Sequence, residues 1–243
     1  MMNNFSKRLY GLADLLLQSP CPLCGRVNAR SFCRDCQRQI QRCQFSSPAW
    51  EHHAVLPIFA WGRYSEALRR AIAAFKYNNK PQLSQPFGQW LADAWSSAAN
   101  RATDVIVVPI PMHVLKRQQR GFNQAELLAE QFCDQTQLPL QRHGLERSRE
   151  TTAQFQLSAS DRAQNLADAF NLGADFRKCP PTKAVVLLDD IYTTGATARS
   201  AAQTLRRHGI RVQGLIVLAK AEKEGGRRGK QRRQGEQEER EEF

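Results

Sequence analysis

Ala184-Val-Val-Leu-Leu-Asp189-Asp190-Ile-Tyr-Thr193-Thr194-Gly195-Ala196-Thr197-Ala-Arg-Ser200 is the stretch whose reading decides the fold. The apolar run predicts a strand over 183–189 that is buried on both faces, as a central strand of a parallel sheet must be. Asp189 and Asp190 stand at its carboxyl end, the edge at which open α/β sheets bind ligands. The turn Thr193–Thr197 leads into a helix predicted over 197–208, closed by Gly209 in the left-handed position that follows a helix C-terminus. Gly195 lets the backbone approach a ligand closely, and successive N–H groups with the hydroxyls of Thr193, Thr194 and Thr197 surround an anion at the positive helix end. The paired carboxylates suit the two hydroxyls of a ribose. A phosphate site beside a hydroxyl acceptor site describes ribose 5-phosphate. The chain carries no Gly-Lys-Ser/Thr, which argues against a P-loop nucleotide triphosphatase. The plainer alternative is that the acids cap a loop and Thr197 caps a helix. Both the strand and the helix that a phosphate loop requires flank this turn, which favours the ligand reading.

Outward from this stretch, strands are predicted over 54–61, 104–111 and 211–219, with a short one within 138–145. Helices are predicted over 5–17, 64–77, 86–99 and 123–136. Asn123 is an expected N-cap, with Glu126 three residues on reaching back to it. Alternating strands and helices imply an α/β fold with a doubly wound parallel sheet. Residues 146–163 are polar with little period and are expected to form a long loop.

Two Cys-x2-Cys turns, Cys21/Cys24 and Cys33/Cys36, are separated by eight residues. Four such thiolates complete a tetrahedron about one ion, so a structural zinc is expected, with no open position for catalysis. Redox dithiols and buried thiols are the weaker alternatives. Cys43, Cys133 and Cys179 have no partner spacing and read as plain thiols. Seven cysteines are an odd number, against a secreted disulfide framework. Lys7 and Arg8 precede an apolar stretch, but Asp14 interrupts it and Gln18-Ser19-Pro20 is a poor cleavage site. A short amphipathic helix and a cytoplasmic location are expected.

The 243 residues are 42% hydrophobic and 24% charged, with a net charge of +12. This balance excludes wholesale disorder, and no apolar run is long enough to span a membrane. The excess charge lies in residues 1–221, since the acidic and basic side chains of 222–243 cancel. It suits a phosphorylated ligand, a nucleic acid or plain solubility. Arg26, Arg30, Arg34, Arg38 and Arg42 around the cysteines permit contact with DNA, or simply offset a negative four-thiolate site. The last 22 residues contain one large apolar side chain, Phe243, and are expected to be disordered. Three units follow: 1–45 with the N-terminal helix and cysteine module, 54–220 as the α/β domain, and the charged tail 221–243.

Lys116, Arg117 and Arg120 follow the Pro109–Pro111 turn, which leaves the carboxyl end of a predicted strand. Three cations there suit pyrophosphate oxygens; a solvated basic loop is the alternative. Lys76, at the end of a predicted helix, either leans over the ligand or is the helix's polar end.

The 184–200 segment resembles the 5-phosphoribosyl-1-pyrophosphate (PRPP) motif of type I phosphoribosyltransferases. With Val108-Pro-Ile-Pro-Met-His, the string Arg120-Gly-Phe-Asn-Gln124, Phe75-Lys-Tyr77 and the four cysteines, the chain resembles the ComF/GntX family over about residues 5–220. The resemblance implies a phosphoribosyltransferase domain behind a small zinc module, and a link to DNA uptake or to DNA as a nutrient. It implies PRPP binding, with Mg²⁺, by Asp189, Asp190, Thr193, Thr194, Gly195, Ala196, Thr197, Lys76, Lys116, Arg117 and Arg120. Arg149, Thr151, Thr152, Gln154, Arg162 and Asn165 resemble a family pattern as well, and their stretch is the candidate lid. If the protein is an enzyme, Asp189, Asp190, Lys116 and Arg120 form the catalytic set of a ribosyl transfer. The second reading is a non-catalytic PRPP sensor or DNA-processing accessory protein, because one fold serves both.

Overall fold

The computed structural model describes residues 19–52, 56–99, 101–147 and 169–222. The expected N-terminal helix, the candidate lid residues and the tail from 223 onward lie outside the described residues. The chain opens with a two-residue ribbon, β1 (Ser19–Pro20) and β2 (Val27–Asn28), around the first cysteine turn. Helix α1 (Arg34–Gln41) begins at the second. Next come β3 (Trp50–Glu51), β4 (Ile58–Arg63) and α2 (Glu66–Tyr77), then a 3₁₀ turn at Pro81–Leu83 leading into α3 (Ser84–Ser97). Strand β5 (Val105–Pro109) is followed by α4 (Val114–Arg120) and α5 (Gln124–Thr136). A ribbon of β6 (Leu145–Arg147) and β7 (Phe170–Leu172) precedes α6 (Ala174–Lys178), and β8 (Ala184–Tyr192), α7 (Ala196–Arg207) and β9 (Val212–Lys220) complete the described fold.

The main sheet has the order β3-β4-β9-β8-β5. Strands β4, β9, β8 and β5 are parallel, and β3 is an antiparallel edge. The expected parallel α/β sheet is present, with that edge strand as an addition. The strand pleat sorts its side chains into two cores. Val186, Leu188, Ile216, Leu218, Phe59 and Trp61 face α2, α3 and α5. Val185, Leu187, Leu215, Val217, Ile58 and Ala60 face α7 and the β6–β7 ribbon. Covered on both faces, β8 and β9 can be apolar nearly throughout, which is why their sequences read as continuous runs. No described helix is long and apolar enough to cross a membrane.

The described part of the cysteine module shares the larger core. Phe32 and Ile40 are buried with α2 and α3, and the Phe32 ring lies 5.8 Å from Phe87 and 6.1 Å from Trp90. Trp90 in turn stacks on Trp61 of β4 at 5.6 Å. Burying one such ring contributes about 2–3 kcal/mol, so the module and the sheet stabilise one another. Gly62 marks the junction, because a Cβ there would meet the Cys43 carbonyl oxygen at 2.5 Å.

Strand and helix boundaries moved by a few residues from expectation. Strand β8 runs on through both acids to Tyr192, because β9 pairs with it as far as Lys220. The basic segment after Pro111, for which no helix is expected from the sequence, is the helix α4, with the His113 ring capping the Leu115 N–H. Asn123 caps α5 as expected, its Oδ1 accepting from the Ala125 N–H at 3.2 Å. Glu126 turns to Arg117 instead of back to that cap, at 3.3 Å. Leu140 makes only an isolated bridge to Val107, and β7 and α6 were not anticipated. Gly209 takes φ +75°, and the Ile210 N–H closes on the Leu205 carbonyl, the hydrogen bond of a Schellman end.

Candidate functional site

Strand β8 delivers Asp189 and Asp190 to the carboxyl edge of the sheet, and α7 starts six residues after Asp190. Between them, Gly195 takes φ +74°, and a Cβ there would lie 2.5 Å from the Tyr192 ring. Only glycine meets both demands, left-handed backbone and an aromatic ring at contact. Thr193 and Thr194 are exposed, and Thr194 Oγ1 accepts from the Ala196 N–H at 3.4 Å. Thr197 lies in the first turn of α7. The loop thus presents hydroxyls and backbone N–H groups at a helix start beside two carboxylates, a geometry suited to a phosphate and a vicinal diol.

The two acids differ in surroundings. Asp190 is 5% exposed, and its Oδ2 lies 2.6 Å from Nζ of Lys76, the penultimate residue of α2. Burial opposes the charge on Lys76, but the carboxylate of Asp190 outweighs it and raises the ammonium above its ordinary value. Asp189 accepts from the Asp190 N–H at 2.8 Å. Burial, then the neighbouring charge of Asp190, push Asp189 well above the carboxylate range, with Lys76 pulling the other way. Two acids this close resist ionising together.

Of the other expected cations, Arg120 comes nearest to this cluster by contact. Its guanidinium lies 5.1 Å over the ring of Tyr77, the residue after Lys76, and donates to Gln124 Oε1 at 2.6 Å. Arg117 pairs with Glu126 of α5, and Lys116 is exposed on α4. α4 begins just beyond the carboxyl end of β5, which lies beside β8. The cations therefore rise from the same sheet edge as the acid pair, with Arg120 toward α2 and Arg117 toward α5. Sequence reasoning missed Arg147, whose guanidinium stacks 5.4 Å over Phe170, and the packing of Tyr192 on Gly195. Neither carries a periodic or motif signal; both arise from tertiary placement.

In the N-terminal module, the four cysteine sulfurs of residues 21, 24, 33 and 36 all lie within 4.8 Å of one another. Sulfurs on a tetrahedral zinc with bonds of about 2.3 Å sit about 3.8 Å apart, and Cys24 and Cys33 are at 3.6 Å. The set fits one thiophilic metal ion. Burial disfavours the Cys21 thiolate, but backbone hydrogen bonds from Cys33, Leu23 and Cys24 bring it down to about 7. Burial and the neighbouring thiols push Cys36 up. Arg26 pairs with Asp35 at 2.6 Å. Cys43, read as a plain thiol, is buried against the Gln39 and Ser65 carbonyls and so joins α1 to the start of α2. The Phe122 ring lies 5.7 Å from that of Phe75.

An α/β sheet with paired acids and a Thr-Thr-Gly loop at its carboxyl edge, behind a four-cysteine module, is the class of protein expected from the sequence. No family model matches the chain. It is similar to competence protein F of Haemophilus influenzae, 28% identical over 236 residues, covering 91% of this chain and 100% of that protein. It is 29% identical to competence protein ComFC of Bacillus subtilis, over 78% of this chain and 72% of that one. DNA utilization protein YhgH of Escherichia coli is 27% identical, over 78% of each chain. The resemblance to ComF proteins thus extends over most of the length. Among solved structures, adenine phosphoribosyltransferase from Leishmania tarentolae aligns with a TM-score of 0.38 at 12% identity, covering 76% of this chain and 86% of that chain. The Trypanosoma brucei enzyme in complex with AMP, pyrophosphate and ribose-5-phosphate aligns with a TM-score of 0.37 at 11% identity, covering 82% and 91%.

Proposed function

We propose that this chain binds PRPP or a related ribose phosphate at the carboxyl edge of its sheet and acts in the handling of DNA taken up or used as a nutrient, in the cytoplasm. The observation that carries the reading is the acid pair near the carboxyl end of β8, followed within a few residues by the Gly195 turn at the start of α7. In this reading the turn 193–197 holds the 5-phosphate, and Asp189 and Asp190 accept from the ribose hydroxyls. Lys76 pairs with Asp190, and Lys116, Arg117 and Arg120 face the pyrophosphate. When bound, Mg²⁺ would supply charge neutralisation on the pyrophosphate oxygens. Departure of pyrophosphate leaves oxocarbenium-like charge on the ribose, and the cations of α4 stabilise the leaving group. Zinc is assigned to Cys21, Cys24, Cys33 and Cys36 as a closed structural site.

The names of the relatives support the link to DNA, and they support equally the non-catalytic reading of a PRPP sensor or accessory protein. A PRPP-consumption assay with labelled PRPP against a panel of bases separates the two: base-dependent pyrophosphate release supports an enzyme, and binding without release supports the sensor. Calorimetric titration tests the site itself. Lys116→Ala and Arg120→Ala are expected to weaken PRPP and to spare ribose 5-phosphate, which lacks the pyrophosphate. Equal losses for both ligands would remove the two residues from the site.

A further inference from the structure

The pleat of β8 places its two acids on opposite faces of the sheet. Side chains alternate along a strand. Val185 and Leu187 belong to the core under α7 and the β6–β7 ribbon, and Val186 and Leu188 to the core under α2, α3 and α5. Asp189 therefore falls on the α7 side, with its register partner Val217, and Asp190 on the α2 side, where Lys76 meets it. Among the described residues, Arg147, the last residue of β6, carries a charge on the α7 side. It is registered opposite Phe170, and its guanidinium is held 5.4 Å over that ring. Phe170 is 1% exposed and packs in the same core as Leu187. This clamp fixes a partly buried guanidinium on the Asp189 face of the sheet.

We infer that Arg147 is a positioning residue for Asp189, so that each acid of the pair is balanced by a cation from the layer covering its own face. The inference rests on the ribose-phosphate reading of the site. Burial pushes the Arg147 guanidinium down and the charge of Asp189 pushes it back. Among the described residues, the charged groups that act on Asp189 are Asp190 on its own strand, Lys76 from α2 and Arg147 from β6. The turn before α7 contributes the Thr193 and Thr194 hydroxyls, and β9 contributes Val217 and, at its end, Lys220, which is paired with Glu51. Arg147 thus assists Lys76 in favouring the Asp189 carboxylate that accepts from a ribose hydroxyl. Losing it leaves Asp189 protonated to higher pH.

The test uses Arg147→Met, Arg147→Gln and Arg147→Lys in the full chain, alone and with Asp189→Asn, and ribose 5-phosphate as the probe. At pH 7 the Met and Gln variants should bind about three-fold more weakly, a shift of about half a pH unit in the acid's ionisation. The loss should fade by pH 9, and the Lys variant should restore wild-type binding. In the Asp189→Asn background Arg147→Met should add no further loss. An equal loss at every pH, or the same loss in the Asp189→Asn background, would reduce Arg147 to a packing residue and overturn the inference. A ligand-free arm follows the Asp189 side-chain carboxyl by ¹³C NMR, whose titration midpoint should rise in Arg147→Met or, if that chain fails to fold, in Arg147→Gln. An unchanged midpoint overturns the inference even if ribose 5-phosphate binds. Absent ribose 5-phosphate and PRPP binding by the wild type, with a raised midpoint, overturns the ligand reading and leaves the pairing standing.

Discussion

Replacing Lys76 by Met removes the ammonium from Asp190 and keeps the apolar stem of the side chain. The pair is 2.6 Å apart, with the lysine side chain 19% and the aspartate 8% exposed. At an effective dielectric of about 20 the gross attraction at this distance is about 6 kcal/mol. Desolvation of both groups offsets much of it. What the variant exposes is the cost of an uncompensated carboxylate beside a second acid. Removing one member of a buried pair costs about 3–5 kcal/mol. The partial exposure of Lys76 places the expectation near the lower end, about 3 kcal/mol at pH 7.5. The sign with pH follows from linkage. The variant's Asp189, raised by burial and without the Lys76 charge that pulls it down, holds in the folded state a proton that the unfolded chain, with ordinary carboxylates, has released. The variant's penalty is therefore small near pH 4 and grows as pH rises from there through the raised folded-state value. Urea denaturation of wild type and variant at pH 5.0 and 7.5 measures it. The gap between them should widen at the higher pH, and Asp190→Asn in the Lys76→Met background should recover most of it. A gap below about 0.5 kcal/mol at both pH values, the range of ordinary surface changes, would refute the reasoning and place Lys76 outside the site's electrostatics.

Further outcomes follow from the other local features. Gly195→Ala must hold a left-handed backbone and displace the Tyr192 ring; it should lower stability by about 1–2 kcal/mol and impair ribose 5-phosphate binding, both readable by thermal denaturation with and without ligand. The purified protein should contain about one zinc per chain by metal analysis, as a closed four-thiolate site does, and Cys24→Ser should lower that content. Because Phe32 and Ile40 share a core with α2 and α3, chelation should lower the melting temperature of the whole chain in a single transition, not release the module separately. Gly62→Ala, whose methyl group would press on the Cys43 carbonyl, should destabilise the protein with zinc still bound, measured by urea denaturation with metal analysis.

The parts of the fold that were legible in the sequence are those where local and global demands coincide. Strand β8 announces itself because burial on both faces removes every polar residue until the edge, where the acids must stand. The C-terminus of α7 is legible because Gly209 alone can take the φ that closes it. The Cys-x2-Cys spacing predicts the approach of four sulfurs, since two tight turns have few ways to meet. The helix α4 was not legible, because Val114-Leu-Lys-Arg-Gln-Gln-Arg120 buries no residue and so carries no period. The pairing of Lys76 with Asp190 joins residues 114 positions apart, and only the packing of α2 on the sheet brings them together. The clamp of Arg147 on Phe170 depends on a three-residue ribbon too short to show alternation. The merging of the cysteine module with the main core was hidden for a similar reason, since Phe32 among polar neighbours gives no hint that its ring seats on Phe87 and Trp90.

The central claim is that the carboxyl edge of β8 and the turn at Gly195 form one ribose-phosphate site. Equilibrium dialysis of the full chain against labelled PRPP with Mg²⁺ tests it most directly, with Asp190→Asn and Gly195→Ala as the paired variants. The account predicts saturable binding near one PRPP per chain, competed by unlabelled ribose 5-phosphate and weakened at least ten-fold in each variant, a loss of about 1.4 kcal/mol or more. Absence of saturable binding to the wild-type chain, or binding that survives unchanged in both variants, would contradict it.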